Sequence, residues 1–516
     1  MILRRRSAHA LTLAIASLVA CEPANGVSTC EPSDISRVRR GFAVDPASVI
    51  IYFTRDVDVP RLAASGRAGR RSLIEALHRD ALRAQRGTLA LLRGHGVEPA
   101  ARLWMINAVA ATVPRALLDE IARLPEVDRI EPDLAIRAPI TSTSSNAATT
   151  AWNLSAIRAP DLWTSGQRGA GVVVAVLDSG VDAAHPDLAA SWRSSAGWYD
   201  PYDQHAAPYD GSGHGTQVTG LVIGGDASGE PIGVAPEARW IAARIYDDAG
   251  VASLGKIHLA LQWVLDPDGD PTTDDAADIV TASWGYSERV DECFLEFEPD
   301  LAALRAAQIA TVFAAGNTGP SSASSISPAN NPSAFAAGAV DESLTVTANS
   351  GRGPDACTGA MFPELVAPGE NVRTADRTFG GQFPDSYVFV TGTSFAAPHV
   401  AGALALLRGA HPSATVKQLE DALTTTAVDL VPAGADNASG FGLPDLLAAE
   451  ARLSNLITMP SCTDADADGS FVEPGCGGPL DCNDDDATIH PDACDVASDN
   501  LDQDCDGADR IAGACC

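Results

Sequence analysis

Three short segments of the 516-residue chain hold residue types that together can carry out acyl transfer. In DSGVDAAHPDL at 178–188, Asp178 follows the apolar run Gly171 to Leu177, which reads as a buried strand and puts the carboxylate at that strand's carboxyl end. In GHGTQVTG at 213–220, His214 stands between two glycines that let backbones pack closely, and an apolar helical stretch follows. In GTSFAAPHVAG at 392–402, Ser394 opens a helix whose N-terminal dipole favours developing negative charge. A serine hydroxyl attacks a carbonyl only when a base takes its proton, and an imidazole is suited to that task near neutral pH. A carboxylate on the other ring nitrogen would hold the tautomer. Each residue alone also has a plain structural reading: a turn Asp, a structural His, a capping Ser.

Taken together in the order Asp178, His214, Ser394, the three strings resemble the signatures of the subtilisin-like (subtilase, peptidase S8 type) serine peptidases, over roughly residues 150–455. The resemblance implies an α/β fold, a parallel sheet with helices on both faces, and a serine endopeptidase working through an acyl-enzyme with no cofactor in the chemistry. It implies that Asn317, in Ala314-Ala315-Gly316-Asn317 after the apolar run Ala310 to Phe313, donates to the oxyanion together with the Ser394 N–H. Ser283-Trp284-Gly285 would then pair with an extended substrate as an added strand, Ala315 and Gly316 would also bind it, and Ile326 would sit at the base of the primary pocket, where Gly is common in bacterial subtilisins. A shallower pocket for small or medium apolar side chains follows. Trp284 either narrows a neighbouring pocket or is a core aromatic. Gln217 and Thr219 stand where the family often has His and Ala, which bears on fine specificity. The rival reading is a catalytically inactive, protease-like surface binding or adhesion lipoprotein.

These segments need a scaffold and an address. Arg4-Arg5-Arg6 and the apolar run to Ala20 read as a signal peptide over 1–20, and Leu18-Val19-Ala20-Cys21 resembles a lipobox, so Cys21 is expected to be lipidated, with 21–45 as a tether. Export follows, to the bacterial cell envelope (periplasmic or cell-surface) or as a secreted protein. Strand-like runs at 49–53, 103–113 and 127–130, with helical spacing at 72–93 and 114–124, predict a small α+β, ferredoxin-like unit over 46–137. That unit resembles the family's inhibitor-type (I9) propeptide, which implies an intramolecular inhibitor removed by cleavage between about Ile136 and Ala151. Residues 138–150 read as an exposed linker, and 151–457 as the catalytic unit.

The last stretch, 460–516, has 15 acidic residues and one basic, seven of the 11 cysteines, and few apolar side chains. It needs staples or metal to fold. It resembles a bacterial Asp/Cys motif described as metal-binding. Oxygen ligands at Asp464, Asp466, Asp468, Asp481, Asn483, Asp485, Asp502, Asp504 and Asp506 point to Ca²⁺, and the cysteines, in an oxidising space, to disulfides. A disordered acidic tail is the alternative. Cys293 and Cys357 can pair if the fold brings them together. The net charge of −32 would repel phosphate backbones, so peptides rather than nucleic acids are the expected partners.

Overall fold

The computed structural model describes residues 44–59, 62, 66–139, 142–144, 151–378, 386–458 and, in the tail, 470, 482, 483, 486, 488–490, 493, 503 and 505. The signal segment, Cys21, and the tail positions Asp464, Asp466, Asp468, Asp481, Asp485, Asp502, Asp504 and Asp506 lie outside the described residues. Among the described residues no helix is long and apolar enough to cross a membrane.

Ala47–Phe53 is apolar almost throughout, a run that only a strand covered on both faces can bury. It forms β1. Val49, Ile51 and Phe53 face one cluster with Leu117 and Ile121, while Ile50 and Tyr52 face a second cluster with Leu73 and Leu77. The helices α1 (Arg70–Ala84), α2 (Arg86–Gly94) and α3 (Arg115–Ala122) accompany strands β2 (Ala101–Leu103), β3 (Ala108–Val113) and β4 (Val127–Pro132). Strand order is β2-β3-β1-β4, antiparallel throughout. Two expectations need correction. The helix predicted over 72–93 is two helices, parted at buried Gln85, whose Nε2 donates to the Ala108 carbonyl at 3.2 Å. The single strand predicted over 103–113 is a hairpin, turned at Asn107 with φ 52°, a conformation that Asn tolerates well.

A strand closes the first unit, and another lies in the segment read as linker. β5 (Ala135–Arg137) pairs antiparallel with β10 (Val251–Ser253), and β6 (Ser142–Ser144) pairs with β16 (Tyr387–Thr391), which in turn pairs with β15 (Val372–Ala375). Edge pairing uses backbone groups, which a Ser/Thr-rich composition does not reveal.

The second unit is the expected α/β fold. Strands β7 (Val173–Asp178), β8 (Trp198–Tyr199), β9 (Arg239–Arg244), β11 (Ile279–Ala282), β12 (Ala310–Ala314), β13 (Phe335–Val340) and β14 (Leu365–Pro368) form one parallel sheet in the order β14-β13-β12-β11-β7-β9-β8. Period-two alternation splits β7 between two cores: Val174 and Val176 on one face, Ala175 and Leu177 on the other. The first core is covered by α4 (His214–Ile223), α7 (Thr393–Ala410), α8 (Val416–Thr425) and α9 (Leu446–Thr458). The second is covered by α5 (Leu254–Leu265) and α6 (Glu298–Ala306) and continues into the first unit through Ile50, Tyr52 and Leu77.

Polar contacts complete that junction. Asp133 accepts from the Gly255 N–H at the start of α5 at 3.0 Å. His258 lies wholly buried between Asp300 (2.8 Å) and Glu296 (3.1 Å), and Glu296 also accepts from Tyr52 of the first unit. Burial disfavours a charged imidazole there, but Asp300 and Glu296 prevail and push His258 up to about 10. Arg70 caps the end of α6, donating to Ala307 O (2.6 Å) and Gln308 O (3.3 Å), and to Ala277 O (3.4 Å). Arg70→Ala would leave these carbonyls unsatisfied at about 1–3 kcal/mol each, so the full chain should melt several degrees lower. Arg70→Lys should recover only part of the loss, as differential scanning calorimetry would register.

Candidate active site

Asp178 closes β7 at the carboxyl edge of the sheet, where β7 pairs with β11 on one side and β9 on the other. Loops open around such a switch point. His214 is the first residue of α4 and Ser394 lies in the first turn of α7. The structure brings all three to this one edge, and all three are buried. His214 Nδ1 and Asp178 Oδ1 are 2.8 Å apart, and the same oxygen accepts from the Ser179 N–H at 2.7 Å. Phe395, next to Ser394, sets its ring 5.5 Å from the imidazole. The Ser394 hydroxyl donates to the Ser283 carbonyl at 3.4 Å, and the Ser283 hydroxyl donates to the Ser394 carbonyl at 2.7 Å. Ser394 and Ser283 are thus joined by reciprocal hydroxyl-to-carbonyl contacts.

The approach of α4 to the β7 loop depends on Gly215. A Cβ there would stand 2.0 Å from Gly180 O and 3.1 Å from the Asp178 Cβ. No other residue lets helix and loop come together at hydrogen-bond distance.

Asp210, which sequence reasoning missed, ties the same two segments. Its Oδ1 accepts from the Ser179 hydroxyl (2.8 Å) and the Gly213 N–H (2.8 Å), and its Oδ2 from the Thr216 N–H (2.9 Å) and hydroxyl (2.6 Å). Ser179 in turn accepts from the Gly215 N–H at 3.0 Å. An Asp four residues before a His is a weak pattern, and only the fold shows that it is fully buried. Burial disfavours a charged His214, but the carboxylates of Asp178 and Asp210 outweigh it and hold the imidazole above its ordinary value.

Asn317 follows β12 and is exposed. Its Oδ1 accepts from the Thr393 N–H (2.9 Å) and hydroxyl (3.1 Å), which identifies that atom as oxygen and leaves Nδ2 as a donor beside Gly392. Gly392 has φ 144° and introduces α7. Ser283, Trp284 and Gly285 continue β11, and Ala315 and Gly316 continue β12. Ile326 lies between the two: a Cβ at Gly285 or Gly316 would come within 2.9 or 2.8 Å of its Cδ1. The Trp284 ring favours the second of its two readings. It is buried against Phe297 and Phe313 in edge-to-face contacts at 5.4 and 5.5 Å, the packing of a core aromatic. Strand alternation sends Ser283 toward Ser394 and Trp284 to the opposite face.

Cys293 and Cys357 form a disulfide near the Ile326 loop, whose Ser327 hydroxyl accepts from the Phe294 N–H at 2.9 Å. In the tail, Cys482 pairs with Cys505, next to Asn483.

For an imidazole acting as base, the acid limb of kcat/KM follows its pKa, so activity should rise only above the ordinary histidine value of about 6.5. Asp210→Asn keeps an acceptor oxygen but removes one of the two charges that raise it. The limb should move to lower pH, with kcat falling as α4 loosens; an unmoved limb in a pH–rate profile would remove Asp210 from this role.

The chain matches the subtilase family over residues 169–442, just over half its length. It is 34% identical to bacillopeptidase F of Bacillus subtilis (strain 168) over 375 residues, 66% of this chain and 25% of that protein. It is 32% identical over 328 residues to subtilisin E of the same organism, 63% of this chain and 76% of the relative. With subtilisin Savinase of Lederbergia lenta it shares 34% over 298 residues, 58% of this chain and 97% of the relative. The chain thus spans about a quarter of bacillopeptidase F and most of the subtilisins. With the parallel sheet and the residues gathered at its carboxyl edge, this match establishes that the chain belongs to the subtilase family, peptidase type S8.

Proposed function

We propose that this protein is an exported serine endopeptidase made as a proenzyme. The observation that carries the reading is the 2.8 Å His214–Asp178 hydrogen bond at the same sheet edge as Ser394 and Asn317. Ser394 Oγ attacks the scissile carbonyl as His214 Nε2 takes its proton, and Asp178 stabilises the imidazolium without becoming protonated. The oxyanion accepts from Asn317 Nδ2 and the Ser394 N–H, the latter at the positive end of α7. His214 then protonates the leaving amine, and water hydrolyses the acyl-enzyme by the same route in reverse. No metal takes part.

The substrate extends as a strand along Ser283-Trp284-Gly285 by backbone pairing, with Ala315 and Gly316 opposite. Ile326 fills space that a smaller residue would leave open, which favours small or medium apolar side chains at the cleaved position. Peptides with Ala or Leu there should outperform those with Phe or Tyr in kcat/KM, and the reverse order would remove Ile326 from the pocket.

The first unit serves as the inhibitor-type propeptide. Its β5 pairs with β10, and its Asp133 caps α5, contacts that hold it on the enzyme before cleavage between about Ile136 and Ala151. Cys21 carries the lipid that tethers the protein to the envelope, and the tail binds structural Ca²⁺ through the oxygen ligands named above, of which Asn483 alone is among the described residues. The rival, an inactive binding or adhesion lipoprotein, has no use for a buried Asp–His pair beside an oriented Asn.

Ser394→Ala should abolish labelling by a fluorophosphonate probe and leave the propeptide attached. Asn317→Ala should keep the fold and lower kcat about 10²–10³-fold. Unlabelled wild-type protein, or near-normal turnover in Asn317→Ala, would defeat the reading.

A further inference from the structure

Helix α5 ends in the loop Asp266-Pro267-Asp268-Gly269-Asp270-Pro271-Thr272-Thr273-Asp274-Asp275, which leads to the amino end of β11, the sheet edge opposite His214 and Ser394. Asp266 is only 7% exposed, and neither of its carboxylate oxygens has a hydrogen-bond partner. Burial is the main force against its charge, Asp275 and Asp268 add to it, and the Gly269 N–H eases it without closing a bond of good geometry. One oxygen from each of Asp266, Asp268 and Asp275 lies within 4.8 Å of the other two.

The loop holds the two outer carboxylates in place. The Asp268 N–H donates to Asp275 Oδ2 (3.0 Å), the Asp270 N–H donates to Asp268 Oδ1 (2.8 Å), and the Thr273 hydroxyl donates to Asp268 Oδ2 (3.1 Å). The nearby cations balance the group only in part. Arg193 spends its guanidinium on the carbonyls of Asp275 (2.6 Å) and Ala196 (3.2 Å), and His78 Nε2 stands 4.0 Å from Asp266 Oδ2, beyond hydrogen-bond reach. A buried carboxylate left bare beside two more is costly unless something positive joins them.

We propose that Asp266, Asp268 and Asp275 bind a structural calcium ion. Oxygens within 4.8 Å of one another can all reach one Ca²⁺ at bond lengths of about 2.3–2.6 Å, and its irregular shell suits a loop better than the strict octahedron that magnesium demands. All-oxygen ligands also disfavour zinc and copper. Loop carbonyls and water complete the shell. The ion ties the end of α5 to the start of β11 and steadies Asp274, which meets Arg70 of the first unit at 3.3 Å. This site is separate from the tail and does not rest on the peptidase reading.

The test uses the full chain carrying Ser394→Ala, stripped with a chelator and titrated with calcium by isothermal calorimetry, alongside added Asp266→Asn, Asp268→Asn and Asp274→Asn. The first two should bind one calcium fewer per chain and lose several degrees of calcium-dependent thermal stabilisation. Asp274→Asn should keep both. Without calcium, Asp266→Asn should melt no lower than its parent, because it removes a bare buried charge, and this separates ligand loss from misfolding. Terbium emission excited through Trp263, whose carbonyl accepts from the Asp266 N–H at 3.2 Å, should fall in Asp266→Asn and Asp268→Asn. Equal calcium stoichiometry in parent and both ligand variants, or an equal loss in Asp274→Asn, would overturn the proposal.

Discussion

The rest of the site depends on how closely the first turn of α4 can approach the loop after β7. Gly215 leaves room for that approach, and Asp210 holds it, accepting from both segments at once. With the backbone so drawn in, the side chains of Asp178 and His214 need no search to find each other. A network of this kind is stiff because Asp210 accepts through both of its oxygens, and in a low-dielectric interior each lost partner would be felt by the others. The same carboxylates that position the imidazole also raise its proton affinity, so geometry and acid–base behaviour have one origin.

Helix α7 carries the opposite half. It runs through the core against α4, β12 and β13, and its first turn delivers Ser394 while Thr393 orients Asn317. Ser394 and Asn317 are thus set by one helix end, and Asp178 and His214 by another pair of elements. The parallel sheet is what makes these ends meet, since every strand delivers its following loop to the same edge. At the far edge lies the Asp266 loop, where rigidity rather than chemistry is at stake.

The two units share one continuous apolar cluster, and their polar junction buries His258, Glu296 and Tyr52 together. Release of the first unit would expose that cluster and admit water to a pair of carboxylates that now share one imidazole. A junction so well filled explains why the first unit's strand β1 is apolar on both faces. Its outer face is an interface.

Much was legible in the residues because the chemistry sits in short contiguous strings. Asp178, His214, Ser394 and Asn317 each stand at the junction of an apolar element and a Gly-containing turn, and such local patterns survive in one dimension. The parallel sheet was legible for the same reason, from near-continuous apolar runs alternating with helical spacing. What lay beyond reach were facts of partnership. Nothing local tells that Asp210 is buried rather than solvated, or that Trp284 turns toward Phe297 and Phe313. The β2–β3 turn hid inside an apolar run, and β5 and β6 are made by backbone pairing that composition does not encode. Asp266 looked like one acidic residue among many until burial stripped its oxygens of partners. The sequence by itself determined which groups are available and which elements carry them, because residue type and period are local properties; tertiary structure alone decided which of them meet, which are desolvated and which face the cleft, because distance and dielectric arise only when elements distant in the chain are packed together.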